Sequence, residues 1–285
     1  MKKLVSILLV CLMLCTALPF CGLAADDAMK VVLSLEGFTL GQGYYVEPTE
    51  YTLDQINDLI KKDGYGPYTE DTLTAGMAAL AMLNDKGLDY EILYGTWTKD
   101  GYLDKVCNID KGTVNFPEVV TKNGGPSNDN YTKNTDKDLG TADYVSTAGW
   151  MFTVNNESPS VGMCNYVFKE ATLQNTYGNT YVVRFQFSLI GYGRDLGLGG
   201  YDFDTFEPLP GFFTPANKDK AMIAYAESSN TRAKAKAKPI LETLDASQSD
   251  VDATIEPLGK AMTVWDRILD FFDRIVAFFR NLFKR

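Results

Sequence analysis

The 285-residue chain contains no histidine. That absence excludes Ser-His-Asp and Cys-His nucleophile pairs, His-ligated zinc or haem, and imidazole acid–base catalysis. Cysteine is scarce: of five, Cys11, Cys15 and Cys21 fall in a leading apolar segment, leaving only Cys107 and Cys164 for the rest of the chain. An excess of basic residues is also missing. Lys and Arg number 27 against 37 Asp and Glu, the reverse of what phosphate recognition needs, so nucleic acid is not an expected partner. Core-forming material is plentiful, with 45% hydrophobic and 12% aromatic residues, which argues against wholesale disorder. The length accommodates one or two domains with accessory segments.

Only one long apolar run exists, Leu4 to Leu18, preceded by Lys2 and Lys3 and followed by Gly22, Ala24 and Ala25. This is the pattern of a secretory signal peptide over residues 1–25, cut after Ala24 or Ala25, and it implies a secreted or cell-surface protein. A retained membrane anchor is the alternative, although the run falls short of the ~20 residues that span a bilayer. Bulky Leu18, Pro19 and Phe20 before Cys21 do not suit a lipidation site. Cleavage would leave one pair of cysteines. Cys107 and Cys164 would then form either a single disulfide, contributing on the order of 4 kcal/mol by closing a long loop, or two buried thiols.

Residues 28–213 mix strand and helix signals. Lys30 to Leu35 reads as a strand, and Thr52-Leu-Asp-Gln55 is a capping box opening a helix that Gly64 stops. Thr69 to Lys86 reads as a second helix with Leu73, Met77, Leu80, Ala81 and Leu83 on one face and Gly87 as its C-cap. The polar stretch 121–147 reads as an exposed loop. Trp150 to Val154 is a strand. In Tyr181 to Ile190, Val183, Phe185, Phe187 and Leu189 alternate with Val182, Arg184, Gln186 and Ser188, so one face should be core and the other mostly polar. The fold class expected is α+β, a sheet half-covered by helices. Residues 215–262 read as a small module of short helices, with Ser247 capping one of them, and 263–285 as an amphipathic tail helix.

One segment is specific enough to compare with a known family. Gly149-Trp150-Met-Phe-Thr-Val, a turn carrying Pro159 and Gly162, then Tyr166 and the alternating Val182-Val-Arg-Phe-Gln-Phe187, resembles the transcobalamin-like C-terminal domain found in secreted bacterial proteins. Val31 to Gly43 is similar to that family's first hairpin. The resemblance covers about Lys30 to Leu198 and implies a β-grasp-like mixed sheet and a corrinoid as ligand. The sequence departs from cobalamin carriers in having no segment long enough for their helical barrel and no histidine to coordinate cobalt. Residues 217–262 resemble, through Ala246 to Leu258, the short helical modules repeated in Gram-positive cell-surface proteins, but Pro257 falls where that family's helix continues.

Trp150, Phe152 and Tyr166 could form an aromatic platform for a ligand; the alternative, favoured for aromatic residues spaced two apart on a strand, is that they pack in the core. Tyr192 and Arg194 sit in the glycine-dense stretch Gly191 to Gly200. This reads as a flexible loop offering soluble-ligand contacts, since neither a βαβ unit nor a helix start makes it a dinucleotide fingerprint. Asp136, Asp138 and Asp143 give a calcium-loop flavour without the full ligand set. Asp202 and Asp204 do not by their spacing make a glycosidase pair. No resident cofactor or metal is expected, and no catalysis.

The tail from Leu258 carries six basic and three acidic residues, while Asp26 to Pro257 is strongly acidic. Trp265, Leu269, Phe272, Ile275, Phe279 and Phe283 recur along one face, a pattern that fits interfacial membrane binding or docking on a partner or on the chain's own sheet. Two functions follow as expectations. One is an exported, non-catalytic protein binding a small soluble ligand or a surface partner. The other is a structural or adhesive cell-envelope protein tethered through its helical module and tail.

Overall fold

A computed structural model describes residues 28–261, apart from 110–112, 129–130, 132–136, 171–176, 191, 203–204 and 206. The expected signal peptide and the tail with Trp265, Leu269, Phe272, Ile275, Phe279 and Phe283 lie outside the described residues. None of the described helices is long and apolar enough to cross a membrane.

The central sheet has four strands in the order β2-β1-β7-β6: β1 Lys30–Glu36, β2 Tyr44–Thr52, β6 Gly149–Val154 and β7 Thr180–Ser188. The first and last strands in sequence, β1 and β7, lie parallel in the middle, from Lys30 opposite Thr180 to Glu36 opposite Gln186. Antiparallel hairpin partners β2 and β6 flank them. A second sheet orders β3 (Tyr90–Leu93), β4 (Tyr102–Val106) and β5 (Leu139–Gly140), with the one-turn helix α3 (Glu118–Thr121) between β4 and β5, and a short β8 (Gly200–Tyr201) pairs with β9 (Pro208–Leu209). With helices on the sheets, the fold class is α+β.

Two helices cover one face of the central sheet. In α1, Leu53–Ile60, the capping box is complete: Thr52 Oγ1 accepts from Gln55 N–H, and Gln55 Oε1 accepts from Thr52 N–H at 2.8 Å. In α2, Ala75–Lys86, Thr74 rather than Thr69 is the N-cap, because Thr74 is held in a β-bridge to Val167. Its residues Ala75 to Leu83 are buried on every side, so the helix is a core element and not an amphipathic one. Between these helices and the sheet pack Val31, Leu33 and Leu35 of β1, Val183, Phe185 and Phe187 of β7, and Trp150.

The opposite face differs from the expectation of a solvated, half-covered sheet. Val182, Arg184, Gln186 and Ser188 are all buried. The helices α4 (Asp219–Glu227), α5 (Thr231–Glu242) and α6 (Gln248–Gly259) lie over it, with Met222 closing on Val32 and Val182. The polar residues of this face are therefore buried partners rather than surface. Arg184 makes a two-pronged ion pair with Glu36, Nε to Oε1 at 2.9 Å and Nη2 to Oε2 at 2.7 Å, and Ser34 Oγ donates to the same carboxylate. Lys218, only 2% exposed, donates from Nζ to the Leu241 and Thr243 carbonyls at 2.8 and 2.6 Å. It thus ties the start of α4 to the end of α5. Glu242 accepts from the Tyr44 N–H, and Glu47 of β2 accepts from Tyr225 and Lys238. The α6 helix runs through Pro257 and ends two residues later at Gly259.

Candidate functional site

Strand β6 forms one edge of the central sheet, and the candidate site lies along it. Three adjoining cavities, of about 380, 730 and 270 Å³, all have Met151 in their walls. Pleating explains why. Trp150, Phe152 and Val154 point to the core, so Met151 is left on the opposite face, half-exposed.

The first cavity runs from Gly149 and Met151 to Tyr94, Tyr102 and Tyr192, floored by Ser146, Thr147 and Ser188. Gly149 has a steric role here, because a Cβ would stand 2.3 Å from the Tyr102 hydroxyl. That hydroxyl meets Thr141 and the Trp150 backbone amide, and burial holds its pKa above the usual tyrosine value. The second cavity spans Met151, Ser158, Pro159, Tyr192 and Tyr201. The third is a slot between β6 and residues 158–163, walled by Phe152, Phe185, Val161 and Met163. Its only carboxylate among the described residues, Asp100, is engaged by Asn165 Nδ2 at 2.6 Å.

Tyr94, Tyr192 and Tyr201 are exposed around this cleft, Tyr94 by 87%. Tyr94 and Tyr192 also hold left-handed backbone, with φ of 66° and 58°. Such conformations cost a side-chain-bearing residue about 1 kcal/mol or more, and they concentrate at functional sites. Two exposed aromatic rings held at that cost on one cleft mark it as the candidate binding surface.

The residues expected from sequence divide three ways. Tyr192 lines two of the cavities. Trp150 and Phe152 both border the slot: Trp150 belongs to the core, donating its indole N–H to the Leu139 carbonyl at 3.0 Å and packing edge-on against Phe187, while Phe152 is half-buried and packs against the core by stacking on Phe185. Tyr166 lies among Phe152 and Phe168, buried, and borders none of the three cavities. It is a packing residue. Arg194 is also turned away from the cleft. Its Nε donates to the Pro210 carbonyl and its guanidinium lies 4.9 Å from the Phe212 ring centre.

The stretch around Arg194 is an ordered turn, not a flexible loop. Asp195, fully buried, accepts from Ser188 Oγ at 2.7 Å and from the Leu189 N–H at 2.6 Å, and the Gly193 N–H donates to Ser188 Oγ. Burial pushes the Asp195 carboxyl up to about 6, against the opposing pull of these donors. The turn carries Tyr192 to the cleft. Met151, Tyr94, Tyr102 and Tyr201 were missed by sequence reasoning, and the non-core member of each strand's alternation was the available signal only for Met151.

A disulfide between Cys107 and Cys164 is not formed; both thiols are free. Cys164 packs on Gly76 and accepts from the Gly101 amide, just before β4, whereas Cys107 follows the far end of that strand. Six residues of extended chain separate the two places by roughly 20 Å, and a disulfide needs Cα atoms within about 7 Å. Burial pushes the Cys164 thiol up to about 11 and also raises Cys107, so neither is a ready nucleophile.

The carboxylates of the calcium-like stretch serve the backbone: Asp143 accepts from Gly140 N–H and Asp138 from Asn108 N–H. Asp136 lies outside the described residues, as does Asp204, while Asp202 accepts from the Thr205 amide and hydroxyl. Within 121–147, expected to be exposed loop, Leu139, Gly140 and Tyr144 are buried, while Thr141, Ala142, Ser146 and Thr147 are exposed.

No family model, curated protein or solved structure matches the chain.

Proposed function

We propose that the protein is an exported, non-catalytic binding protein whose tyrosine-rimmed cleft over Met151 takes a small soluble ligand or a surface partner. The observation that carries this is the meeting of three cavities at one edge-strand residue beneath Tyr94, Tyr192 and Tyr201. Ligand sites are concave and mainly apolar with a few polar groups, and this cleft has tyrosine, methionine and proline beside serine and threonine hydroxyls. The central parallel pair between two hairpins supports a β-grasp-like reading of the sheet. The family resemblance then supplies a corrinoid as the candidate ligand.

The alternative, a structural or adhesive envelope protein, draws less support from the helical module, because α4 to α6 spend their apolar faces on each other and on the sheet. It leans on the tail alone.

Calorimetric titration with cobalamin and cobinamide tests the ligand. Binding tighter than about 100 μM, or −5.5 kcal/mol, is expected, with Tyr192→Ala weakening it by roughly tenfold through the lost ring contact. Absence of heat at that concentration removes corrinoids, and an unaltered affinity in Tyr192→Ala removes the cleft as their site.

A further inference from the structure

The backbone of β6 carries a feature that a pocket for a small molecule does not require. The Asn155 N–H donates to the Val182 carbonyl, in register with the β6–β7 ladder. In an antiparallel pair, bonded and non-bonded residues alternate. Gly149, Met151, Thr153 and Asn155 therefore direct their backbone groups at β7, and Trp150, Phe152 and Val154 direct theirs outward from the sheet. Two of those outward N–H groups are taken: Val154 donates to the Glu157 carbonyl and Trp150 meets the Tyr102 hydroxyl. Phe152 stands between them, where residues 158–163 leave the slot instead of pairing with the strand.

We infer that this edge pairs with a short extended peptide, whose central residue exchanges two hydrogen bonds with the Phe152 N–H and C=O. The side chains support the same geometry. A residue directly opposite Phe152 places its side chain on the same face of the sheet, which here is the apolar slot beside Phe185 and Met163. Its two neighbours project to the other face, over Met151 toward Tyr192 and Tyr201. Cavities on both sides of an unpaired strand segment match the alternation of a bound strand, as in recognition by strand addition. The ligand class is then an extended peptide with an aliphatic residue flanked by aromatic ones. The inference rests on the cleft being a binding site and adds the backbone as the element that reads the ligand.

The test uses the full chain and the probe acetyl-Thr-Tyr-Leu-Tyr-Thr-amide, alongside the same peptide N-methylated at leucine. N-methylation removes the donor to the Phe152 carbonyl and leaves the side chains in place. Expected are binding of the plain peptide below ~1 mM, a loss of roughly tenfold or more on methylation, and slowed hydrogen exchange at the Phe152 amide in the complex. Gly162→Trp, at a position where a Cβ meets nothing within 4 Å, should fill the slot and abolish peptide binding without changing the melting temperature. Equal affinity of the two peptides, or an unprotected Phe152 amide, overturns strand pairing while leaving the cleft as a binding site. No peptide binding at ~1 mM overturns it as well, and the corrinoid titration then decides the cleft's role separately.

Discussion

Among single residues, the Glu36–Arg184 pair shows most directly how position changes the meaning of a side chain. On alternation alone Arg184 belongs to a solvated face. In the fold it is 5% exposed, and its guanidinium is matched fork to fork with a carboxylate that also holds Ser34. Burial lowers the preference for charge and Glu36 restores it; the net effect holds Arg184 above its usual value. Breaking such a pair by removing one partner strands the other charge in a dry site, at roughly 3–5 kcal/mol, whereas replacing both with apolar groups is often neutral. Glu36→Gln should therefore lower stability by about that amount in chemical denaturation. Glu36→Leu combined with Arg184→Met should recover most of the loss. If the double variant is no more stable than Glu36→Gln, the pair is not an isolated electrostatic unit.

At the level of elements, the parts legible in the sequence were those governed by local chemistry. The capping box at Thr52 to Gln55, the β7 strand and the Gly87 cap each depend on residues a few positions apart, and each is in the fold. What depended on distant chain was not legible. Nothing near Val182 or Arg184 announces that α4 will cover them. Nothing near Gly191 to Gly200 announces that Asp195 will reach back to Ser188 and Leu189 and set the turn. The candidate site suffered for the same reason: its rim of Tyr94, Tyr192 and Tyr201 and its wall at Tyr102 come from separate places along the chain, two of them at strand ends, and only Tyr192 stood in a stretch that drew notice. The Asp195 turn makes a pH-dependent prediction. Its carboxyl holds a proton more tightly when folded, about 6 against an ordinary value of 3.8. Its stabilising contribution is thus complete below pH ~4 and is lost as pH rises through ~6. Asp219, also buried and also pushed up to about 6, adds to the same slope. Asp195→Asn should remove about half of the slope between these limits. It should also cost ~1–3 kcal/mol, because Ser188 and the Leu189 N–H reach different oxygens of Asp195 and an amide turns one of those acceptors into a donor. Melting curves from pH 4 to 7 measure both effects, and an unchanged slope would show that Asp195 does not titrate in that range.

For the whole molecule, the decisive packing is of α4, α5 and α6 on the sheet. Residues 28–213 and 215–262 read as two units in sequence, one α+β and one a small helical module. The contacts join them. Met222 covers Val32 and Val182, Tyr225 and Lys238 reach Glu47 on β2, and Glu242 takes the Tyr44 amide. Lys218, whose ammonium is pushed down to about 7 by burial and by Arg184, is enclosed within the same layer. Removing the module would expose the apolar patch to water and leave Arg184 and Glu36 at a bare surface. The four-stranded sheet would keep a single covered face, and its central strands are buried on both. A chain ending at Phe213 should therefore fail to fold cooperatively, showing collapsed amide dispersion and no sharp thermal transition. Adding residues 215–261 as a separate peptide should restore a transition only if the module can dock without covalent linkage. A truncated chain that melts sharply, with a sheet spectrum like the full protein's, would establish instead that the two units are independent and that the buried face tolerates water. In that case the module would again be available as a tether, and the binding reading would lose the structural argument that now favours it.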